Sequence, residues 1–203
     1  YGLLFSVAMD DELTFKELWQ YAKGYINNKG LMDWKINRWG NVIGKGSAAD
    51  ADQDIAYALL LAHQKWPQEN YLADAKRMLQ AIKKYEINET GLLLPGDSWR
   101  GMPPINPSYI ALGYYENFEA ASGDPIWAKV LKKNRWFLSQ IADRDTGLIP
   151  DWVAQDQKII KGQNDFGYAA VRCPLRLYSF YSHTGDPLAE ILLKKQAKFI
   201  KSI

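Results

Sequence analysis

Gly147-Leu148-Ile149-Pro150-Asp151-Trp152 is the last of three versions of one phrase. The first is Gly30-Leu31-Met32-Asp33-Trp34, and the second is Gly91-Leu92-Leu93-Leu94-Pro95-Gly96-Asp97-Ser98-Trp99. Each runs from a glycine through apolar residues to an Asp and then a Trp. The phrase returns about every 55–60 residues, as in a repeat architecture. A second phrase lies between the copies: Gly123-Asp124-Pro125-Ile126-Trp127-Ala128 matches Gly185-Asp186-Pro187-Leu188-Ala189. Its Asp is suited to cap a helix and its Pro to occupy the first helical turn.

Between these marks apolar residues recur every three or four positions, the helical period. Ile55, Ala58, Leu59 and Ala62 line a helix predicted over residues 51–65, and Leu72, Ala75, Met78, Leu79 and Ile82 one over 70–84. The same pattern predicts helices over 1–9 and 12–27, over 107–121 and 125–141, and over 168–183 and 187–203. Only 153–160 offers a candidate hairpin strand. The unit is therefore helix, turn, helix, then a long loop rich in aromatic residues. Helix pairs bury their apolar faces against one another in an open solenoid or a closed ring. Solenoid units are shorter, roughly 34–47 residues with small loops, so the long loops favour an all-α ring with a functional rim. Four pairs are predicted, in one domain over 1–203 that is expected to be incomplete at both ends.

Composition fits a globular domain with a substantial core: 47% of the 203 residues are hydrophobic and 24% charged. The net charge of +2 comes from 25 basic and 23 acidic residues and gives no nucleic-acid surface. No apolar run is long enough for a membrane span. The first residue is not Met, so the chain is read as part of a longer one. The single cysteine, Cys173, excludes an intrachain disulfide and offers no metal-ligand cluster. The aromatic content stands out, with eight Trp, twelve Tyr and seven Phe, many of them in loops. Aromatic rings fill cores, but in loops they also offer flat apolar faces on which sugar rings stack.

The densest acid cluster is Asp50-Ala51-Asp52-Gln53-Asp54-Ile55. A calcium loop is excluded, because Ile55 stands where Gly is needed and Leu61 where Glu is needed. Two readings remain open. Asp50 or Asp52 caps the helix that starts there, or a carboxylate at that helix start faces a groove and binds sugar hydroxyls or positions a water. Trp34, Trp99 and Trp152 hold equivalent places in the three phrases. They are either packing plugs or a groove lining in which each neighbouring Asp accepts hydroxyl hydrogen bonds. Arg172 and Arg176, one helical turn apart near Tyr168, are suited to pair with carboxylates, Arg176 more simply as a structural ion pair. His63 and His183 are expected to be solvated near helix ends. Neither a Ser/His/Asp arrangement nor a phosphate-binding glycine loop stands out.

Together these residues resemble glycoside hydrolase family 8, and the likeness runs through the whole chain. Its most specific part is Ala48-Ala49-Asp50-Ala51-Asp52-Gln53-Asp54-Ile55-Ala56-Tyr57-Ala58-Leu59-Leu60-Leu61-Ala62 with Trp66, which looks like the family signature, with Ala49 where Ser or Thr is usual. Asn106-Pro107-Ser108-Tyr109 and the three phrases support it. The resemblance implies an (α/α)6 toroid, seen here as about four of six helix pairs. It also implies endo-acting, inverting hydrolysis of a β-1,4-linked polysaccharide, with cellulose or mixed-linkage β-glucan as first choice. An inverting glycosidase needs one protonated carboxyl on the leaving oxygen and one carboxylate on the attacking water.

The family's acid is a Glu in Ser-Glu-Gly-x-x-Tyr-Gly, so Tyr1-Gly2 places it ahead of this chain. Asp50 matches the aspartate that contacts the sugar at the cleavage point. The usual base is the Asp of Tyr-Asp-Ala; here the sequence is Tyr168-Ala169-Ala170-Val171-Arg172. Alanine accepts no proton, so the chain is expected to be inactivated at Ala169, or to draw a base from Asp165, Asp156 or Asp151. Substrate contacts are expected from Trp34, Asp97, Trp99, Tyr109, Asp151, Trp152, Tyr168 and Arg172. The resemblance further implies no metal or organic cofactor, a polysaccharide or oligosaccharide as partner, a monomer, and a secreted or periplasmic protein. The rival reading is a carbohydrate-binding pseudoenzyme with the same groove and no turnover. A protein-interaction scaffold is the third, and it does not call for repeated Asp–Trp pairs.

Overall fold

A computed structural model describes every residue except Gln68, Arg100, Asn164 and Ile203. Its eight α-helices are α1 (Gly2–Ala8), α2 (Glu12–Lys23), α3 (Ala49–Lys65), α4 (Tyr71–Tyr85), α5 (Tyr115–Ser122), α6 (Ile126–Ile141), α7 (Cys173–Thr184) and α8 (Pro187–Ile200). They pack as four successive pairs, α1 with α2, α3 with α4, α5 with α6 and α7 with α8. Helix α3 also touches α1 and α5, so the first helix of each of these pairs faces inward. Its composition explains why. Ala49, Ala56, Ala58 and Ala62 keep it slim, and nearly every side of it is buried. Helix α4 is two-faced, burying Tyr71, Ala75, Met78, Leu79 and Ile82 and turning lysines outward. Side chains from all eight helices meet in one contiguous core, with Phe15, Leu59, Tyr115, Phe118, Trp127 and Phe137 among the fully enclosed residues. Among the described residues no helix is long and apolar enough to cross a membrane.

The second phrase does what its residues suggest. Asp186 Oδ1 accepts from the Ala189 amide at 3.0 Å to open α8, and Asp124 Oδ1 accepts from the Ile126 amide at 3.0 Å to open α6. The glycine ahead of each, Gly123 and Gly185, ends the preceding helix in the left-handed conformation.

Three predicted helices differ. The run over 107–121 is broken: a 3₁₀ turn over Pro107–Tyr109 is closed by Asn106, whose Oδ1 accepts from the Ser108 amide and hydroxyl. Ile110 is then extended, and a second 3₁₀ turn over Leu112–Tyr114 leads into α5. The run over 168–183 begins late, as a 3₁₀ turn over Ala170–Arg172, with Pro174 in the first turn of α7. Helix α2 stops at Lys23, four residues before its predicted end. The end predicted for α8, Ile203, lies outside the described residues.

Two short strands, β1 (Lys35–Ile36) and β2 (Val42–Gly44), form an antiparallel hairpin too brief for an alternating pattern to announce it. Its tip is organised by Asn37, whose Oδ1 accepts from the amides of Trp39 and Asn41. The predicted 153–160 strand reduces to single antiparallel bridges from Val153 to Ile159 and to Ile105.

Candidate active site

The start of α3 and the turn ahead of α7 meet through two ion pairs. Arg172 Nη1 donates to Asp50 Oδ2 at 2.5 Å. One turn deeper, Arg176 grips Asp54 with both nitrogens, at 2.6 and 3.1 Å. Tyr114 extends the deeper pair, donating its hydroxyl to Asp54 at 3.0 Å and accepting from Arg176. The outer pair is partly open to solvent and the inner pair is buried, with side-chain exposures of 16% for Asp50, 26% for Arg172 and 7% for Arg176. Arg176 is thus the structural partner that its position suggests. Tyr1 lies beside both arginines, its ring 5.9 Å from the Arg176 guanidinium.

From Asp50 a continuous line of contacts runs along the loops. The Arg172 guanidinium sits 5.3 Å over the Tyr109 ring. Tyr109 meets Trp152 edge-on at 6.3 Å, and Trp152 stacks on Trp99 at 5.9 Å. Burial, followed by the charge of Asp50, pushes the Tyr109 hydroxyl above its ordinary value. Five expected site residues are therefore in one file: a carboxylate, a guanidinium and three rings. Ala169 sits at the same place, 8% exposed, with its carbonyl accepting from Arg172 Nε at 3.4 Å. Asp151 joins it: Oδ1 accepts from the Ala170 amide at 2.6 Å. Trp34 is elsewhere, on the hairpin beside Gly44 and 56% exposed, while Tyr168 is 95% exposed.

Neither Asp50 nor Asp52 caps α3 in the usual sense; the capping position is Ala48, without a side-chain bond. Asp50 faces Arg172, and Asp52 turns inward to accept from the Met32 amide at 2.9 Å. In the Asp–Trp phrases the acids serve the backbone rather than standing beside their tryptophans toward a groove. Each Asp accepts a backbone amide from another segment: Asp33 from Gly46 at 2.8 Å, Asp97 from Ser47 at 2.8 Å, and Asp151 from Ala170. These acids hold the loops while the tryptophans emerge from them. Asp97 departs furthest from the expected sugar contact. It is buried, and Ser47, Asn27, Ser98 and Lys29 occupy its oxygens, so it is not available to a sugar. Burial raises its proton affinity, but the Ser47 amide, the Ser98 hydroxyl and Lys29 outweigh that and hold its carboxyl below the usual value.

Of the acids near Ala169, Asp151 is anchored beside it, and the exposed Asp165 touches the same loop, its carbonyl accepting from the Asp151 amide at 2.9 Å. Asp156 is exposed in a tight turn and paired with Lys158 at 2.7 Å. A cleft of about 590 Å³ between the end of α6 and the 143–166 loops shares Trp152 with the contact line but includes neither Asp50 nor Arg172. Cys173 is enclosed, and burial pushes its thiol up to about 12, which removes it as a nucleophile. Among the described residues no group of three or more His, Cys, Asp or Glu is arranged to hold a metal ion.

Glu86, the residue that caps the C-terminus of α4, is fully buried within hydrogen-bonding reach of Asp52. Burial pushes both carboxyls up, Asp52 to about 7. Nothing local in the sequence marks Glu86 for such a place.

Residues 1–201 match the sequence profile of "Glycosyl hydrolases family 8". The chain is 36% identical over 211 residues to Endoglucanase C of Ruminiclostridium cellulolyticum, covering 100% of this chain and 46% of that protein. It is 32% identical over 230 residues to Beta-glucanase of Niallia circulans, covering 100% of this chain and 56% of that one. The chain spans about half the length of these curated relatives. Among solved structures it superposes on the apo Beta-1,3-1,4-glucanase from Paenibacillus sp. X4 with a TM-score of 0.90 and 32% identity, covering 100% of this chain and 61% of that one.

Proposed function

Because the chain belongs to glycosyl hydrolase family 8, with its four helix pairs forming part of an (α/α)6 toroid, we propose that it carries the groove of an endo-acting, inverting hydrolase of a β-1,4-linked polysaccharide. Cellulose or mixed-linkage β-glucan is the first choice of substrate. The observation that carries this reading is the file of Asp50, Arg172, Tyr109, Trp152 and Trp99. A pyranose ring laid on Trp152 and Trp99 stacks its C–H face on the indoles. Asp50 then receives hydroxyl hydrogen bonds from the sugar at the cleavage point, with Arg172 keeping the carboxylate aimed. Endo action fits the partly open pair, the exposed Trp99 and the half-buried Trp152, which admit a chain from the side.

Inversion needs an acid and a base on opposite sides of the bond. The acid is assigned to the Glu expected ahead of Tyr1. That assignment agrees with the seat of Tyr1 beside Arg176 and Arg172, next to Asp50. At the usual base position stands Ala169, so the chain as it stands is read as inactivated at the water-activating step. The second reading, a carbohydrate-binding pseudoenzyme, is supported by the same file of residues beside an alanine at position 169. No cofactor is required in either case. The protein is read as a secreted or periplasmic monomer with one toroid domain.

The test is a panel of cellulose, mixed-linkage glucan, xylan and chitosan offered to the full-length protein. Binding and product size are measured, and proton NMR records the anomer first formed. Internal cleavage of a β-glucan with inversion supports the hydrolase; binding without products supports the pseudoenzyme; neither binding nor cleavage sinks both.

A further inference from the structure

Asp52 and Glu86 are both completely enclosed. Asp52 Oδ1 accepts from the Met32 amide at 2.9 Å. Glu86 Oε1 accepts from the Ser47 hydroxyl at 2.5 Å, and that same oxygen of Ser47 accepts from the Asp97 amide at 2.9 Å. The Ser47 amide completes the ring by donating to Asp97 Oδ1. The two remaining oxygens, Asp52 Oδ2 and Glu86 Oε2, are buried with no donor among the described residues. The two carboxyls lie within hydrogen-bonding reach of each other.

The charges around the pair do not neutralise it. From the turn between α2 and β1 comes Lys29, which is committed to Asp97 through the latter's carboxylate and carbonyl. Asp97 adds a further negative charge from its own loop, and Tyr115 faces Glu86 from α5 with its hydroxyl donated to Gln53. Two unpaired carboxylates side by side in a dry interior cost far more than one proton shared between them. A carboxylic O–H between the two groups also supplies the donor that the open oxygens lack.

The three backbone amides in this network begin three segments, two of which carry the proposed groove while the third bears the exposed Trp34. Met32 lies two residues before Trp34, Ser47 three before Asp50, and Asp97 two before Trp99. The segments are further laced by Trp34 N to Gly46 O at 2.8 Å and Ala49 N to Pro95 O at 2.9 Å. We propose that Asp52 and Glu86 are positioning residues: a proton held between their carboxyls joins the loops of Trp34, Asp50 and Trp99 into one rigid floor, and its loss loosens that floor. The proposal rests on the hydrolase reading only in that the loops of Asp50 and Trp99 line the proposed sugar groove.

The test uses the full-length protein and its Glu86→Gln and Asp52→Asn variants. Infrared difference spectra at neutral pH look for the carbonyl stretch of a protonated carboxylic acid. Hydrogen exchange, corrected for intrinsic rates, follows the amides of Met32, Ser47 and Asp97. The expected result is an acid band at neutral pH that disappears in either variant. Protection of the three amides should fall about tenfold between about pH 6 and about pH 9 in the unmodified protein, in step with the band, and stay nearly level in Glu86→Gln. An absent acid band, as with both carboxyls ionised around a cation, overturns the proposal. So does a band whose loss leaves the three amides protected. Should a variant fail to fold, the coincidence of band and protection in the unmodified protein still decides the matter. Cello-oligosaccharide titration alongside separates the readings: an intact band with no sugar binding counts against the hydrolase, since neither proton nor amide readout depends on sugar.

Discussion

Arg172 and Asp50, 122 residues apart in sequence, form the outer of two parallel rungs between the start of α3 and the segment leading into α7. Arg176 and Asp54, separated by the same 122 residues, form the inner one. Both acids and both arginines are spaced by four, one helical turn, so the rungs stack in register. One rung faces the groove and the other the core, and they are expected to fail differently.

Removing Arg176 leaves Asp54 buried without its charge partner. Such a loss costs about 3–5 kcal/mol. Arg176→Met should therefore lower the denaturation midpoint sharply. Arg172→Met removes a partly exposed pair, and the stability change should stay within about 1 kcal/mol. Its effect should appear as weaker oligosaccharide affinity. Urea unfolding and calorimetric titration of the two variants separate these roles; equal stability losses would contradict the assignment.

The stack of Trp152 on Trp99 is assigned to holding sugar. An aromatic contact of this kind is worth about 0.5–1.5 kcal/mol. Trp152→Ala should weaken cellotetraose binding about tenfold, since 1.4 kcal/mol is a factor of ten. Quenching of tryptophan fluorescence by the oligosaccharide measures it, and an unchanged affinity would remove Trp152 from the groove.

Asp97 is expected to act on stability. Asp97→Ala strands the buried Ser47 amide together with Asn27 and Lys29, which should cost about 3 kcal/mol. Because its folded carboxyl sits below the usual value, its contribution is present above about pH 4 and is lost as pH falls through the folded value. The stability difference between wild type and Asp97→Asn should therefore shrink in acid. A difference that grows in acid would reverse the sign and refute the role.

Asp52 and Glu86 act in the opposite direction. Their raised proton affinity means that the folded chain holds protons the unfolded chain releases. That contribution is complete below about pH 4 and is lost as pH rises through about 7 and beyond. The melting temperature of the unmodified protein should fall across this range more steeply than that of Glu86→Gln. Parallel melting curves would contradict it.

The helix pairs were legible because each buries one face at a 3.6-residue period, and because Gly-Asp-Pro states where a helix ends and the next begins. The breaks at 107–114 and before α7 were not, since Asn106 closes its turn with a side chain and Pro174 still fits a helical first turn. The file from Asp50 to Trp99 was legible in its membership, through the signature and the repeated tryptophans. Its partnerships were not: the adjacency of Asp and Trp suggested joint sugar contacts, whereas the acids point away to amides on other segments. Glu86 gave no signal, because its significance comes wholly from the fold that brings it to Asp52.

A β-glucan-cleaving groove assembled around an alanine at position 169 should gain turnover when a carboxylate is placed there. The most direct measurement is reducing-end release from soluble β-glucan by the full-length protein, with Ala169 retained and as Ala169→Asp. Turnover that is absent or feeble with Ala169 and rises by about two orders of magnitude or more in Ala169→Asp is the predicted result. Equal activity in both would contradict it and move the base to Asp151 or Asp165.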